Sequence, residues 1–219
     1  MTSELSQLRV LQEALPPGVK LVAVTKTVDA ETIRQAYGAG VRDFGESRVQ
    51  EALPKLAQLA DLTDITWHFI GRLQANKARK IVEHFSWIHS VDSWPLTERL
   101  ERIAGDLKRR PQILLQVKLW PDESKTGWSE MELREALPRL QALVHLQPQG
   151  LMAILPLGLT PAERLAAFQK VAGLAQSLPL PLEELSMGMS GDYPQALAAG
   201  ATLIRIGSLI FGRRSSSVI

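Results

Sequence analysis

The stretch KLVAVTKTVDAET, residues 20–32, carries the reading of the fold. An apolar run from Leu21 to Val24 breaks off at Thr25-Lys26-Thr27, and Asp29 then caps a helix running through Ile33 and Ala36. A strand that hands over to a helix in this way opens a βα unit. A doubly wound nucleotide-binding sheet would carry G-x-G-x-x-G at this junction, whereas TKTVD has no glycine. Val22, Val24 and Lys26 share one parity, so an extended chain aims all three to one side. A charge is thereby aimed where two valines seek a core.

The same handover recurs along the chain. Further strand candidates, after LVAVT (21–25), are VRDFG (41–45), TWHFI (66–70), SWIHS (86–90), QILLQVK (112–118), QGLMAI (149–154), EELSM (183–187) and TLIRI (202–206). Between them lie helix starts. Ser129 with Glu132, and Thr160-Pro161-Ala162-Glu163, read as capping boxes. Ser93 opens a helix with Leu96, Leu100 and Ile103 spaced for burial. Strands alternating with helices require a parallel sheet with right-handed crossovers. Eight units, preceded by a helix near residues 4–14, predict a single (β/α)8 TIM barrel over residues 1–212, with 213–219 as a flexible tail. An open doubly wound sheet is the competing architecture.

Composition narrows the function classes. The 219 residues are 45% hydrophobic and 22% charged, enough to build a sizeable core. Lys+Arg 25 against Asp+Glu 23 leaves +2, a near-balance that gives no reason to expect nucleic acid. The absence of cysteine excludes disulfides and thiolate chemistry and suits a reducing compartment. Four histidines without H-x-H or H-E-x-x-H spacing give no metal site. With neither a secretory signal nor a membrane span in the sequence, the expectation is a cytoplasmic protein.

In a barrel the chemistry sits where strands run out into the following loops. Lys26 there is either a boundary lysine snorkelling to solvent or an amine whose charge is destabilised in an apolar mouth, free to attack a carbonyl. The loops after the seventh and eighth strands, MGMSGD (187–192) and RIGS (205–208), are where such barrels hold a phosphate. Ser190 and Ser208 can add hydroxyl donors, and Gly191 and Gly207 allow close backbone approach. Together these point to a phosphorylated carbonyl compound, either pyridoxal phosphate or the sugar phosphate of an aldolase. Arg205 shares parity with Leu203 and points inward. Its acceptor is either a carboxylate within the barrel or the ring nitrogen of pyridoxal phosphate. His68 either flanks that ring or is a hydrogen-bonded core residue.

The strings VAVTK, FGESRVQEA, WHFIGRLQANK, HSVDS, SKTG and LSMGMSGDYPQALAAGATLIRIGSLIFG, in this order from residue 21 to 212, resemble the pyridoxal phosphate homeostasis protein family, PLPBP or YggS-like. The resemblance implies a fold-type III barrel like that of alanine racemase, without that enzyme's second domain. It implies pyridoxal 5'-phosphate held as an internal aldimine, no robust catalysis, and a role in vitamin B6 and amino-acid homeostasis. Lys26 matches the Schiff-base lysine, and Ser190, Arg205, Gly207 and Ser208 match phosphate and ring contacts. Ser47, His68, Met187 and Gly191 complete the candidate cofactor set. The family usually reads F-G-E-N, so Ser47 is a departure: serine has no amide nitrogen, and a contact there is lost or passes through water. Glu46 would then support the loop by accepting backbone or arginine donors.

Non-catalytic cofactor holding is the first reading, by a monomer whose partners are pyridoxal phosphate-dependent apoenzymes or regulators. An amino-acid racemase is the alternative, and it needs a second acid/base opposite the lysine. Only Tyr37 and Tyr193 are available as tyrosines. A class I aldolase would leave Arg205 without a role.

Overall fold

The computed structural model describes residues 3–121 and 125–212. The tail expected at 213–219 lies outside them. Eight parallel strands close on one another in sequence order. They are β1 (Lys20–Val24), β2 (Asp43–Glu46), β3 (Thr66–Phe69), β4 (Trp87–Val91), β5 (Gln112–Gln116), β6 (Gln147–Met152), β7 (Glu184–Ser186) and β8 (Leu203–Ile206). β1 closes the ring by pairing with β8, Val22 opposite Arg205. This is the (β/α)8 barrel; an open sheet is ruled out.

Around it stand α1 (Ser3–Ala14), α2 (Ala30–Gly38), α3 (Val49–Gln58), α4 (Ala78–His84), α5 (Trp94–Asp106), α6 (Glu130–Gln141), α7 (Pro161–Ser177), α8 (Tyr193–Ala198) and α9 (Ser208–Phe211). Local chemistry sets their starts. Asp29 accepts from the Thr32 N–H at 2.7 Å, and both capping boxes form, Ser129 with Glu132 and Thr160 with Glu163. Ser93 begins α5 but makes no side-chain cap.

The two faces of the sheet differ sharply. Outward residues such as Phe44, Phe69, Ile88, Ile113, Leu185 and Ile204 are buried against the helices in the main apolar cluster. Inward, Trp87, Leu114 and Met152 form a small apolar group. Polar groups share the interior with them and with Val22 and Leu203: His68, His89, Ser186 and Arg205 are all buried and bonded to one another across the barrel. The expected aliphatic strand bodies therefore describe the outer face fully and the inner face only in part.

Candidate functional site

After β7 the chain turns through Met187-Gly188-Met189-Ser190-Gly191-Asp192. Gly188 has φ +88°, and a Cβ there would lie 2.7 Å from Ala196 Cβ, so the turn is closed to other residues. The Asp192 carboxylate accepts from the Met189 N–H at 2.6 Å and pins the turn. The Arg205 N–H donates to the Gly188 carbonyl at 3.0 Å, tying this loop to β8. Beyond β8, Gly207 approaches Val24 so closely that a Cβ would sit 3.3 Å from both its Cβ and its carbonyl oxygen. Among the described residues, the N–H groups of Ser190, Gly191, Gly207 and Ser208 have no acceptor.

Lys26 lies on the same rim. Together with Val24, Val28, Gly207, Ser208 and Phe211 it lines a cavity of about 340 Å³. It is exposed, not buried as the parity of LVAVTK implied. The strand ends at Val24, and Thr27 takes φ +61°, which swings the chain out of the alternation two residues early. What is buried is the support on the outer side. The Lys55 ammonium donates to the Thr25 carbonyl, to Glu46 and to Glu51, each at 2.9 Å. Glu46 also accepts from the Thr25 hydroxyl at 2.7 Å, and Glu51 accepts from the Thr27 N–H. The residues on either side of Lys26 are thus clamped while its own side chain stays out of the network. Glu46 does support the loop, but through Lys55 and Thr25 and not through arginine.

Burial pushes the Glu46 carboxyl pKa up, with Lys55 and Thr25 opposing. Removing the ammonium alone strands that carboxyl. Lys55→Met is expected to cost about 3 kcal/mol in urea denaturation, and Lys55→Met with Glu46→Gln to recover most of it. A single variant as stable as the parent would contradict the clamp.

Arg205 points into the barrel at its mouth end, 4% exposed. Its Nη1 donates to the Ser186 carbonyl and hydroxyl, each at 2.6 Å, and its Nη2 to the Ala153 carbonyl at 2.9 Å. No carboxylate forms a salt bridge with it among the described residues, so that alternative finds no support. Burial lowers the Arg205 pKa to about 10, with Asp192 opposing. Three of the five guanidinium N–H groups are engaged, and the other two donate to no described residue.

The alanine racemase N-terminal domain family matches residues 5–215. The pyridoxal phosphate homeostasis protein of Synechocystis sp. is 58% identical over 204 residues, 91% of this chain and 94% of its own. The chain belongs to the pyridoxal phosphate homeostasis protein family. A solved relative, PipY of Synechococcus elongatus with PLP bound, is 55% identical with TM-score 0.92, over 96% of this chain and all of its own. Alanine racemase from Streptomyces coelicolor shares the fold at TM-score 0.74 and 22% identity, matching 96% of this chain but 58% of the enzyme. This member of the family thus matches the barrel and only part of the racemase.

The other candidate residues fall in different places. Ser47 lines a separate cavity of about 260 Å³ with Arg48, Arg72 and Lys77, on the rim beside α3 and α4. Met187 is buried and faces outward into the helix layer. Tyr37 is tied to Asp64 on the outside of α2 at 2.5 Å, and Tyr193 borders a groove beside α1. His68 lies inside, its ring nitrogens 2.9 Å from Asp43 and from His89, and it stacks on Trp87. The sequence reading passed over His89, Ser186 and Lys55. Inward parity was the available signal for the first two, and i, i+4 spacing from Glu51 for the third.

Burial holds the pKa of His68 below its ordinary value, against Asp43, and holds that of His89 further below. Below pH ~6.5 the unfolded chain therefore binds protons that the native state refuses. Stability is present above that pH and is lost as pH falls, by about 1.4 kcal/mol per pH unit for each histidine. Melting temperatures between pH 8 and 5 should fall along this slope, and His89→Gln should flatten it. A parent whose melting temperature stays level down to pH 5 would show that neither histidine is kept neutral.

Proposed function

We propose that this chain binds pyridoxal phosphate covalently through Lys26 and acts as a non-catalytic holder of the cofactor in vitamin B6 and amino-acid homeostasis. The observation that carries the reading is the shared cavity of Lys26 with Gly207 and Ser208, in a chain 55% identical to a protein solved with PLP bound. The residues present fit the group. An exposed amine is available to its aldehyde, backbone donors at 190–191 and 207–208 suit its phosphate, and Arg205 retains two N–H groups for its ring nitrogen. Pyridoxal phosphate supplies an aldehyde that captures amines and a ring that withdraws electrons from the carbon next to the captured nitrogen. Arginine, which only donates, leaves the ring nitrogen unprotonated and weakens that withdrawal.

Racemisation would then require two well-placed bases. Tyr37 is held by Asp64 away from the mouth, and Tyr193 turns toward α1, so neither borders the Lys26 cavity. The exposed position of Lys26 also admits water, which weakens electrostatic contacts there. The reading places the protein in the cytoplasm as a monomer that serves pyridoxal phosphate-dependent apoenzymes or regulators.

The test is L-alanine and other amino acids incubated with the loaded protein in deuterated water. The expected result is α-deuteration no faster than with free pyridoxal phosphate. Rapid exchange, abolished by Tyr193→Phe, would make it a racemase-like enzyme. A purified protein that is colourless and gains no absorbance from added cofactor would overturn the binding itself.

A further inference from the structure

Among the described residues, four charged side chains stand at inward-facing strand positions, Lys20, Asp43, Glu184 and Arg205, and one pairing leaves two over. Lys20 bonds Glu184 at 2.6 Å and lies over Trp87. Asp43 and Arg205 remain, joined by an unbroken run of contacts. Asp43 Oδ1 lies 2.9 Å from His68 Nε2, His68 Nδ1 lies 2.9 Å from His89 Nε2, and His89 Nδ1 lies 2.9 Å from the Ser186 hydroxyl. That hydroxyl accepts from Arg205 at 2.6 Å. Side chains from β2, β3, β4, β7 and β8 take part, so only the closed barrel can assemble the run.

We propose that Asp43, His68, His89 and Ser186 form a one-way hydrogen-bond relay that presents the Asp43 charge to Arg205 and fixes the guanidinium as donor to the ring nitrogen of pyridoxal phosphate. The cofactor half of this rests on the proposed function; the relay itself does not.

The direction follows from the two ends. Arginine only donates, so the Ser186 oxygen receives a proton from that side. A carboxylate only accepts, so His68 carries its proton on Nε2. Neutral His68 then offers a bare Nδ1 to His89 Nε2–H. Neutral His89 in turn offers a bare Nδ1 to the Ser186 O–H. The opposite order would set a bare ring nitrogen against the Asp43 carboxylate, with no proton between them. Burial keeps both histidines neutral. Every donor in the run thus points toward Asp43 and every residue turns its lone pair toward Arg205, and hydrogen bonds aligned in a chain strengthen one another. Asp43, His68 and His89 are positioning residues that reach the cofactor only through Arg205.

Two measurements test this. In ¹⁵N-histidine-labelled apoprotein at pH 7.5, His68 and His89 should both be neutral and protonated on Nε2. His84 and His145, both about two-fifths exposed, serve as internal references. A proton on Nδ1 of either buried ring, or a charged ring, overturns the relay whether or not the cofactor binds. The second measurement uses Asp43→Asn, which keeps an acceptor for His68 and removes only the charge. Titrated with pyridoxal phosphate, it should bind about tenfold more weakly than the parent, the value of one charge-assisted hydrogen bond. Its bound cofactor should also absorb at a shifted wavelength. Adding Asp43→Asn to Arg205→Gln should change neither quantity further. Unchanged affinity and absorbance in Asp43→Asn, while Arg205→Gln weakens binding, would overturn the coupling and leave the cofactor reading intact. A parent that binds no pyridoxal phosphate would overturn the coupling together with that reading, whereas the histidine tautomers would still decide the relay.

Discussion

Lys26→Ala is expected to yield a folded barrel that no longer retains pyridoxal phosphate after borohydride reduction. The side chain is exposed and takes no part in the clamp, which holds Thr25 through its carbonyl and hydroxyl and Thr27 through its N–H. Truncation therefore removes neither packing nor a buried bond, and stability should stay within ~0.5 kcal/mol of the parent. The amine itself has no substitute in the cavity it shares with Gly207 and Ser208. Lys55 is committed to Glu46 and Glu51 on the outer side of the sheet. Phosphate and ring contacts would survive, so weak reversible binding should persist while the fixed adduct is lost entirely. Peptide mapping of the reduced parent should place the adduct on Lys26. An adduct on Lys118 or Lys125, or one that persists at full yield in Lys26→Ala, would reassign the attachment point.

The exposure of Lys26 changes the physical account of its reactivity. An apolar mouth that desolvates the ammonium is not what the fold supplies. Instead, a clamped loop holds an accessible amine in one cavity with Gly207 and Ser208, so under the proposed function positioning replaces desolvation as the main contribution. Extended alternation reads correctly through Val24 and fails two residues later, because Thr27 leaves the extended region. That departure is stabilised by Glu51, and a partner on a distant helix has no signature in the local pattern.

Strand positions were legible to within about two residues, from 21–25 against Lys20–Val24 to 183–187 against Glu184–Ser186. The reason is that both faces of a barrel strand are buried, so apolar residues concentrate in short runs. The same concentration hid the polar interior. Phe44, Phe69, Ile88 and Ile204 dominate each run but face the helices, while Asp43, His68, His89 and Arg205 alternate with them toward the axis. Arg205 was found because an inward arginine demands an acceptor. His68 was judged alone, and its partners emerge only when β2 and β4 are brought around it. Ser47, proposed from its place in the family motif, lines a second cavity with Arg48, Arg72 and Lys77.

Arg205→Ala is expected to weaken pyridoxal phosphate binding by on the order of 10- to 100-fold, since a hydrogen bond from a charged donor contributes about 1.5–3 kcal/mol. Two consequences for folding oppose one another. The Ser186 and Ala153 carbonyls lose their donors at 2.6 and 2.9 Å, and the barrel gains a void. Against this, a buried guanidinium with no carboxylate in contact is removed, and burial already disfavours its charge. The net loss of stability should therefore be modest, about 1–3 kcal/mol, well short of unfolding a barrel of this size. Affinity and stability are measured separately, by absorbance titration of the apoprotein and by its urea midpoint. Unchanged affinity with a collapse in stability would make Arg205 a packing residue of the barrel interior. Arg205→Lys separates charge from shape. A lysine keeps the charge but offers three rotatable donors in place of the planar fork, and it cannot span Ser186, Ala153 and a ring nitrogen at once. It should therefore fold well and still bind the cofactor weakly, because the contact depends on the geometry of the donors as much as on their charge.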